Sequence, residues 1–314
     1  MLRLLLACLA LAGVAPAPPP IEHDSVDVNG VKLHYAKSGS GELILFLHGF
    51  PEFWYAWKHQ LDEFGRDRLA VAPDMRGYNL SSKPAAVDQY RIPLLVEDVR
   101  ALAERLGFGA KRKFVLVGHD WGGAVAWAYA IAHPDTLDKL VIVNAPHPAI
   151  FQRELGENPA QQKASQYMLM FRGPDAEKTL SANDHAMLVE IVLGEGLKQG
   201  YVTEADKKAY LEAWSQPGAL TGGLNYYRAA QVGPPTAMQA VPTEFVPRAA
   251  STKVNVPTLV IWGERDTALL TGNLEGLDAY VPKLTVRRIP DGTHWVVHEK
   301  PELVNKHIRE FIAR

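Results

Sequence analysis

The segment Val117-Gly118-His119-Asp120-Trp121-Gly122-Gly123 constrains this chain more than any other. Lys113–Val117 before it reads as a short buried strand. Gly122–His133 after it reads as a helix stopped by Pro134. A strand must therefore turn within a few residues into a helix. So tight a turn needs small residues on both sides of its tip, and Gly118 and Gly122 supply them. The tip projects above the sheet at a helix N-terminus, where negative charge is favoured. Its residue is Asp120, neither serine nor cysteine.

The rest of the chain repeats this strand–helix alternation. Val28-Asn29-Gly30-Val31 predicts a type I′ hairpin into a strand near Lys32–Ala36, because Asn-Gly accepts the positive φ angles of that turn. Further strands are predicted at Glu42–Leu47, Arg68–Pro73, Lys139–Val143, Thr258–Trp262 and Leu284–Ile289. Helices are predicted near Trp54–Phe64, Ile92–Leu106, Asn273–Tyr280 and Pro301–Ala313. Such alternation implies a mostly parallel sheet with right-handed crossovers. It breaks between about Pro148 and Thr252, where helices and loops run with no clear buried strand. The predicted organisation is an α/β core over 21–147 and 253–314, with a helical cap inserted at 148–252.

Charge and composition exclude several classes. Lys and Arg number 33 against 35 Asp and Glu, without the basic excess of a nucleic-acid binder. A single cysteine excludes an intramolecular disulfide framework and a cysteine zinc site. No apolar run reaches the roughly 20 residues of a membrane-spanning helix. Residues 1–20 stand apart. Arg3 precedes an uninterrupted apolar run from Leu4 to Ala15, and prolines follow at 16, 18, 19 and 20. This reads as a secretory signal and linker, with cleavage after Ala12. The protein is expected to be exported; the alternative is a cytoplasmic protein that keeps this extension.

An aspartate at the elbow changes the chemistry open to the site. A carboxylate attacks an sp³ carbon bearing a leaving group and leaves an alkyl ester on the enzyme. Water must then attack the ester carbonyl of Asp120 itself, so the oxyanion develops there. Asp266 follows the strand Thr258–Trp262, and His294 follows Leu284–Ile289. Nucleophile, acid and histidine in this order at strand ends make a triad. His294 activates water, and Asp266 fixes its tautomer. Glu264 and Asp291 are rival acids. His298 is a rival base, read as structural. Leu47-His48-Gly49-Phe50-Pro51-Glu52-Phe53-Trp54 places a loop after the strand Glu42–Leu47. The N–H groups of Phe50 and Trp121 are the expected oxyanion donors, and His48 is expected to brace the loop.

With these motifs together, the sequence resembles the epoxide hydrolase branch of the α/β-hydrolase superfamily over about residues 24–314. The resemblance rests on His48–Glu52, Asp74-Met75-Arg76-Gly77-Tyr78, Gly118–Gly123, Asn144-Ala145-Pro146-His147-Pro148 and Gly292–Trp295. It implies an α/β-hydrolase fold, with a mostly parallel eight-stranded sheet and the helical cap. It also implies a cis Phe50–Pro51 bond and two cap tyrosines that donate a proton to the opening oxirane. Asn225-Tyr226-Tyr227-Arg228 resembles the second cap motif and makes Tyr227 the donor. Ser165–Phe171 resembles the first and suggests Tyr167, with Tyr201 and Tyr210 as substitutes. Adjacent helical residues point about 100° apart, so Tyr226 should turn away from Tyr227. The implied activity adds water to a small epoxide to give a vicinal diol. Phe50 and Trp121 contact the substrate, and no metal or other cofactor takes part. Oligomeric state is not legible. Two other readings stay open. In an aspartate-nucleophile dehalogenase the Trp121 indole N–H would hold a halide. In a catalytically silent exported binding protein the fold would only bind.

Overall fold

The computed structural model describes residues 18–236 and 252–313. The predicted signal segment therefore lies outside the described residues up to position 17, as does 237–251 of the predicted cap.

Strands β1 (Glu22–Val28) and β2 (Val31–Ser38) form the antiparallel hairpin, with Asn29 and Gly30 both at positive φ, 47° and 76°. The remaining strands are β3 (Leu43–Leu47), β4 (Leu69–Pro73), β5 (Phe114–His119), β6 (Leu137–Val143), β7 (Thr258–Gly263) and β8 (Leu284–Ile289). They make one eight-stranded sheet in the order β1-β2-β4-β3-β5-β6-β7-β8. Every pairing from β4 onward is parallel, and β2 runs antiparallel to β4. β3 shows why its sequence is apolar throughout. Leu43, Leu45 and Leu47 pack into the core on one face of the sheet, and Ile44 and Phe46 into the core on the other.

Helices α1 (Lys58–Phe64), α2 (Ile92–Arg105) and α3 (Trp121–Ala132) connect the first strands. The block between β6 and β7 is helical among the described residues. It comprises α4 (Pro148–Glu157), α5 (Pro159–Ala164), α6 (Gln166–Arg172), α7 (Ala176–Leu188), α8 (Gly194–Gln199), α9 (Glu204–Trp214) and α10 (Ala219–Ala230). The left-handed backbone of Asn183, Asp184 and His185 breaks α7. A short α11 (Val296–Glu299) precedes α12 (Pro301–Ile312), which opens on its proline.

One predicted helix is absent. Asn273–Tyr280 forms two 3₁₀ turns, Thr271–Leu274 and Leu277–Ala279, parted by Gly276 at φ 72°. The Asn273 side chain bonds the Leu270 carbonyl and Gln161, and so competes with helical backbone pairing.

Because β3, β5, β6, β7 and β8 are parallel, the loops after them open at one edge of the sheet. Open α/β sheets bind their ligands at this carboxyl edge.

Candidate active site

Asp120 sits between β5 and α3 with φ 49° and ψ −120°. Two glycines allow the approach this turn requires. A Cβ on Gly122 would lie 2.2 Å from the Leu47 carbonyl oxygen, and one on Gly49 would lie 2.4 Å from Asp120 Cβ. The loop after β3 thus closes directly onto the carboxylate. The Phe50 amide donates to Asp120 Oδ1 at 2.8 Å. Trp121 follows as the first residue of α3, the position from which a helix presents amide hydrogens to an anion.

Across the carboxylate, His294 Nε2 lies 3.7 Å from Asp120 Oδ2. Its Nδ1 is 2.7 Å from Asp266 Oδ2. Asp266 is buried, and its other oxygen accepts from the amides of Ala268 and Leu269, each at 2.8 Å. Burial pushes the Asp266 carboxyl up, but the adjacent His294, the Leu269 amide and Asn144 together hold it below the ordinary carboxylate range. Burial likewise pushes the His294 imidazole down. Asp266, Asp120 and Glu52 outweigh that and raise it to about 9.

The structure brings Asp120, His294, Asp266, Phe50 and Trp121 to this one edge. The rival acids lie elsewhere: Glu264 pairs with Arg288 at 2.9 Å, and Asp291 with Lys300 at 2.7 Å. His298 faces Glu52 at 2.5 Å. His48 braces the loop. Its Nδ1 lies 2.9 Å from the Gly49 carbonyl, and its Nε2 accepts from the Met75 amide at 3.0 Å. Asp74 accepts from the Trp54 amide at 3.0 Å and so anchors the far end of that loop. The Phe50–Pro51 bond is cis.

Sequence reasoning missed three supporting residues. Asn144, at the end of β6, donates to Asp266 Oδ2 at 2.8 Å while its Oδ1 accepts from the Gly263 amide at 2.9 Å. It fixes the acid from a third strand. Glu52, inside the loop motif, is buried beside His119 Nδ1 at 3.0 Å as well as His298. His119 Nε2 in turn reaches the His294 carbonyl at 2.9 Å. Glu52 therefore ties the loop carrying Phe50 to the loop carrying His294. The available signal was polarity: Asn144, Glu52 and His119 occupy positions that strand neighbours would bury.

The cap closes over this edge. A cleft of about 330 Å³ is lined by Asp120 with Trp121, Ala124, Pro146, Phe151, Tyr167, Met168, Tyr227, Val232 and Leu269. Asp120 is the only charged side chain among these described lining residues. Tyr167 and Tyr227 meet across the cleft with ring centroids 6.4 Å apart. Burial and the Asp120 charge hold both hydroxyls well above their ordinary value, so both remain O–H donors. The Trp121 ring stands edge-on to Tyr227, with centroids 5.0 Å apart. Tyr226 turns away and donates to the Arg76 carbonyl at 2.8 Å. Tyr210 bonds Glu52, and Tyr201 lines a separate crevice with Lys58, so neither enters the cleft. Among the described residues no group of three His, Cys, Asp or Glu side chains converges as a metal site would require.

The family model for the alpha/beta hydrolase fold matches residues 42–301. An AB hydrolase superfamily protein of Bacillus subtilis is 38% identical, covering 91% of this chain and 96% of its own. Epoxide hydrolase 4 of Mus musculus is 36% identical over 90% of this chain and 77% of its own. Among solved structures, a Bacillus megaterium epoxide hydrolase variant superposes with a TM-score of 0.86 at 38% identity, covering 93% of this chain and all of its own. A second variant of that enzyme is solved with its naphthyloxy-propanediol product, at a TM-score of 0.85, 38% identity and the same coverage.

Proposed function

This chain belongs to the α/β-hydrolase fold family and is an epoxide hydrolase; from that premise we propose how its residues add water to an oxirane. The observation that carries the proposal is the divided use of the Asp120 carboxylate: Oδ1 is held by the Phe50 amide, and Oδ2 faces His294. The unheld Oδ2 attacks an oxirane carbon. The carbon–oxygen bond of the ring breaks, and Tyr227 and Tyr167 supply the proton that an alkoxide leaving group needs. The product of this step is an alkyl ester on Asp120.

Ester formation removes the Asp120 charge, which is one of the fields holding a proton on His294. The proton that His294 gives up balances the tyrosinate left by ring opening. Neutral imidazole, oriented by Asp266, takes a proton from water, and the water oxygen adds to Asp120 Cγ. Negative charge gathers on Oδ1, where the Phe50 and Trp121 amides receive it; one such donor is commonly worth about 3–4 kcal/mol of barrier. The bond from Cγ to Oδ2 then breaks. The diol takes its second proton from His294, and the carboxylic acid left on Asp120 returns a proton to the imidazole. Each turnover consumes one water.

Single-turnover hydrolysis in ¹⁸O-water tests this route. Label is expected in Asp120, and the diol of the first turnover is unlabelled. Label in the first diol, with none in Asp120, means that water attacks the epoxide directly. The apolar cleft and the product of the Bacillus megaterium relative favour uncharged aromatic epoxides. Styrene oxide and a naphthyl glycidyl ether are the first substrates to try. The dehalogenase reading is disfavoured by the two tyrosines that meet over Asp120, because a halide leaving group needs no proton. The complete set of reacting groups likewise disfavours a silent binding protein.

Export belongs to the same proposal. Cleavage after Ala12 would remove Arg3 and Cys8 and leave a chain without cysteine. Mass spectrometry of protein from its host decides: a mature start at Gly13 outside the cytoplasm supports export, and an intact Met1 in the cytosol overturns it.

A further inference from the structure

Tyr227 sits on α10, a cap helix, yet it must donate to an oxygen whose position is set by Asp120 of the core. Its contacts over the cleft are ring edges, Trp121 at 5.0 Å and Phe50 at 5.5 Å between centroids. The neighbouring stripe of the helix, about 100° around, is seated on core backbone. Gly222 and Tyr226 are four residues apart and share one face. A Cβ on Gly222 would lie 2.3 Å from the Gly77 carbonyl oxygen, so helix backbone rests on the backbone of the core loop after β4. Tyr226 is fully buried, and its hydroxyl donates to the Arg76 carbonyl at 2.8 Å in the same loop. Arg76 is itself locked, its Nε and Nη2 each 2.7 Å from the Asp98 carboxylate of α2. Arg228, by contrast, ties α10 to Glu177 of α7 within the cap.

We propose that Tyr226 is a positioning residue for ring opening: its hydroxyl on the Arg76 carbonyl, with Gly222 seated on Gly77, references the Tyr227 proton to the core that carries Asp120. Tyr167 packs its ring on Phe171 and Tyr227, and the segment before it is tied to the core separately, through Gln161 to the Ala268 carbonyl and the Leu270 amide. The two donors are thus referenced to the core at different places, Tyr227 at the loop after β4 and the Tyr167 segment at the loop after β7. The proposal rests on the reading of Tyr227 as a proton donor. It separates the two chemical steps, because ring opening needs the tyrosine proton and hydrolysis of the Asp120 ester does not.

The test is single-turnover kinetics of the full chain with styrene oxide. Ester formation and ester hydrolysis are read separately from the mass of quenched protein in wild type, Tyr226→Phe, Tyr227→Phe and the double variant. A misplacement near 1 Å can cost about a hundredfold, so loss of one anchoring bond is expected to slow ring opening about tenfold in Tyr226→Phe. Ester hydrolysis should be unchanged, and Tyr226→Phe should add no loss once Tyr227 is already Phe. Gly222→Ala, which lifts the same face off Gly77, should give the same selective slowing, and it decides the matter if Tyr226→Phe does not fold. Equal slowing of both steps overturns the proposal, as does an equal loss from Tyr226→Phe with and without the Tyr227 hydroxyl, because a residue that merely holds the fold behaves so. Wild-type ring opening in Tyr227→Phe alone overturns the donor reading beneath it, and that single variant tells the two failures apart.

Discussion

Asp120 adopts a backbone conformation that L-residues rarely take, and a conformation of this kind costs about 1–3 kcal/mol. The surrounding contacts over-determine it, which leaves the carboxylate set between an amide on one oxygen and an imidazole on the other. Removing the imidazole should stop the cycle halfway. His294→Gln is expected to form the ester in a near-stoichiometric burst and to hold it, seen as a mass gain on the peptide containing Asp120; full turnover would contradict the scheme. Asn144 acts one bond further out. Asn144→Ala frees Asp266 Oδ2 of one of its donors, and a hydrogen bond to a charged group is worth about 1.5–3 kcal/mol, so a loss of about tenfold or more is expected. The loss should fall on ester hydrolysis and spare ring opening. The proton on His294 also couples to stability. Its folded value of about 9 lies above the ordinary 6.5, so the fold favours the imidazolium. That contribution is fully present below pH 6.5 and disappears as pH rises through about 9. Denaturant unfolding at the two pH values should show wild type losing more stability than His294→Gln; parallel losses would contradict it.

At the scale of elements, the site depends on how closely the loop after β3 can approach the elbow. Gly49→Ala places a methyl group 2.4 Å from Asp120 Cβ, against a loop that His48, Asp74 and Glu52 hold rigidly. Overpacking of this kind costs about 1–3 kcal/mol, and the displaced Phe50 amide should lower kcat about a hundredfold. A wild-type kcat would show that the loop yields. The central strands were legible because β3, β5 and β7 are buried on both faces over five or six consecutive residues. The divergence of Tyr226 and Tyr227 was legible from the helical repeat alone. The segment Asn273–Tyr280 was not: its apolar spacing suits a helix, but Gly276 and the Asn273 side chain make competing local bonds.

Across the whole molecule, the cap must sit in register with the core for tyrosines on two cap helices to meet an aspartate on the sheet. Besides the seating of α10, Asp206 bridges the two bodies. It completes the capping box of α9 with Thr203, and it accepts from the core residues Tyr55 and Lys58. Burial pushes its carboxyl up, yet Lys58, Thr203 and Tyr55 together hold it far below the usual carboxylate range. Asp206→Ala should destabilise the protein by roughly 1–3 kcal/mol, since it strips a cap and leaves the half-buried Tyr55 and Lys58 without their acceptor. Faster limited proteolysis within the cap, at unchanged core cleavage, is the measurement that checks it. The sequence by itself determined the sheet, the helical run between its sixth and seventh strands, the aspartate at the elbow and the chain order of Asp266 and His294. Each of these is written in residues close together along the chain, where strand and helix periods and turn sterics act. Only the tertiary structure decided which polar residues serve the triad and how the cap tyrosines are held. Asn144 meets Asp266 across 122 residues of chain, and Tyr226 meets Arg76 across 150. No local pattern encodes such a pairing, because it exists only once parallel strands have brought their ends to one edge and the cap has closed over them.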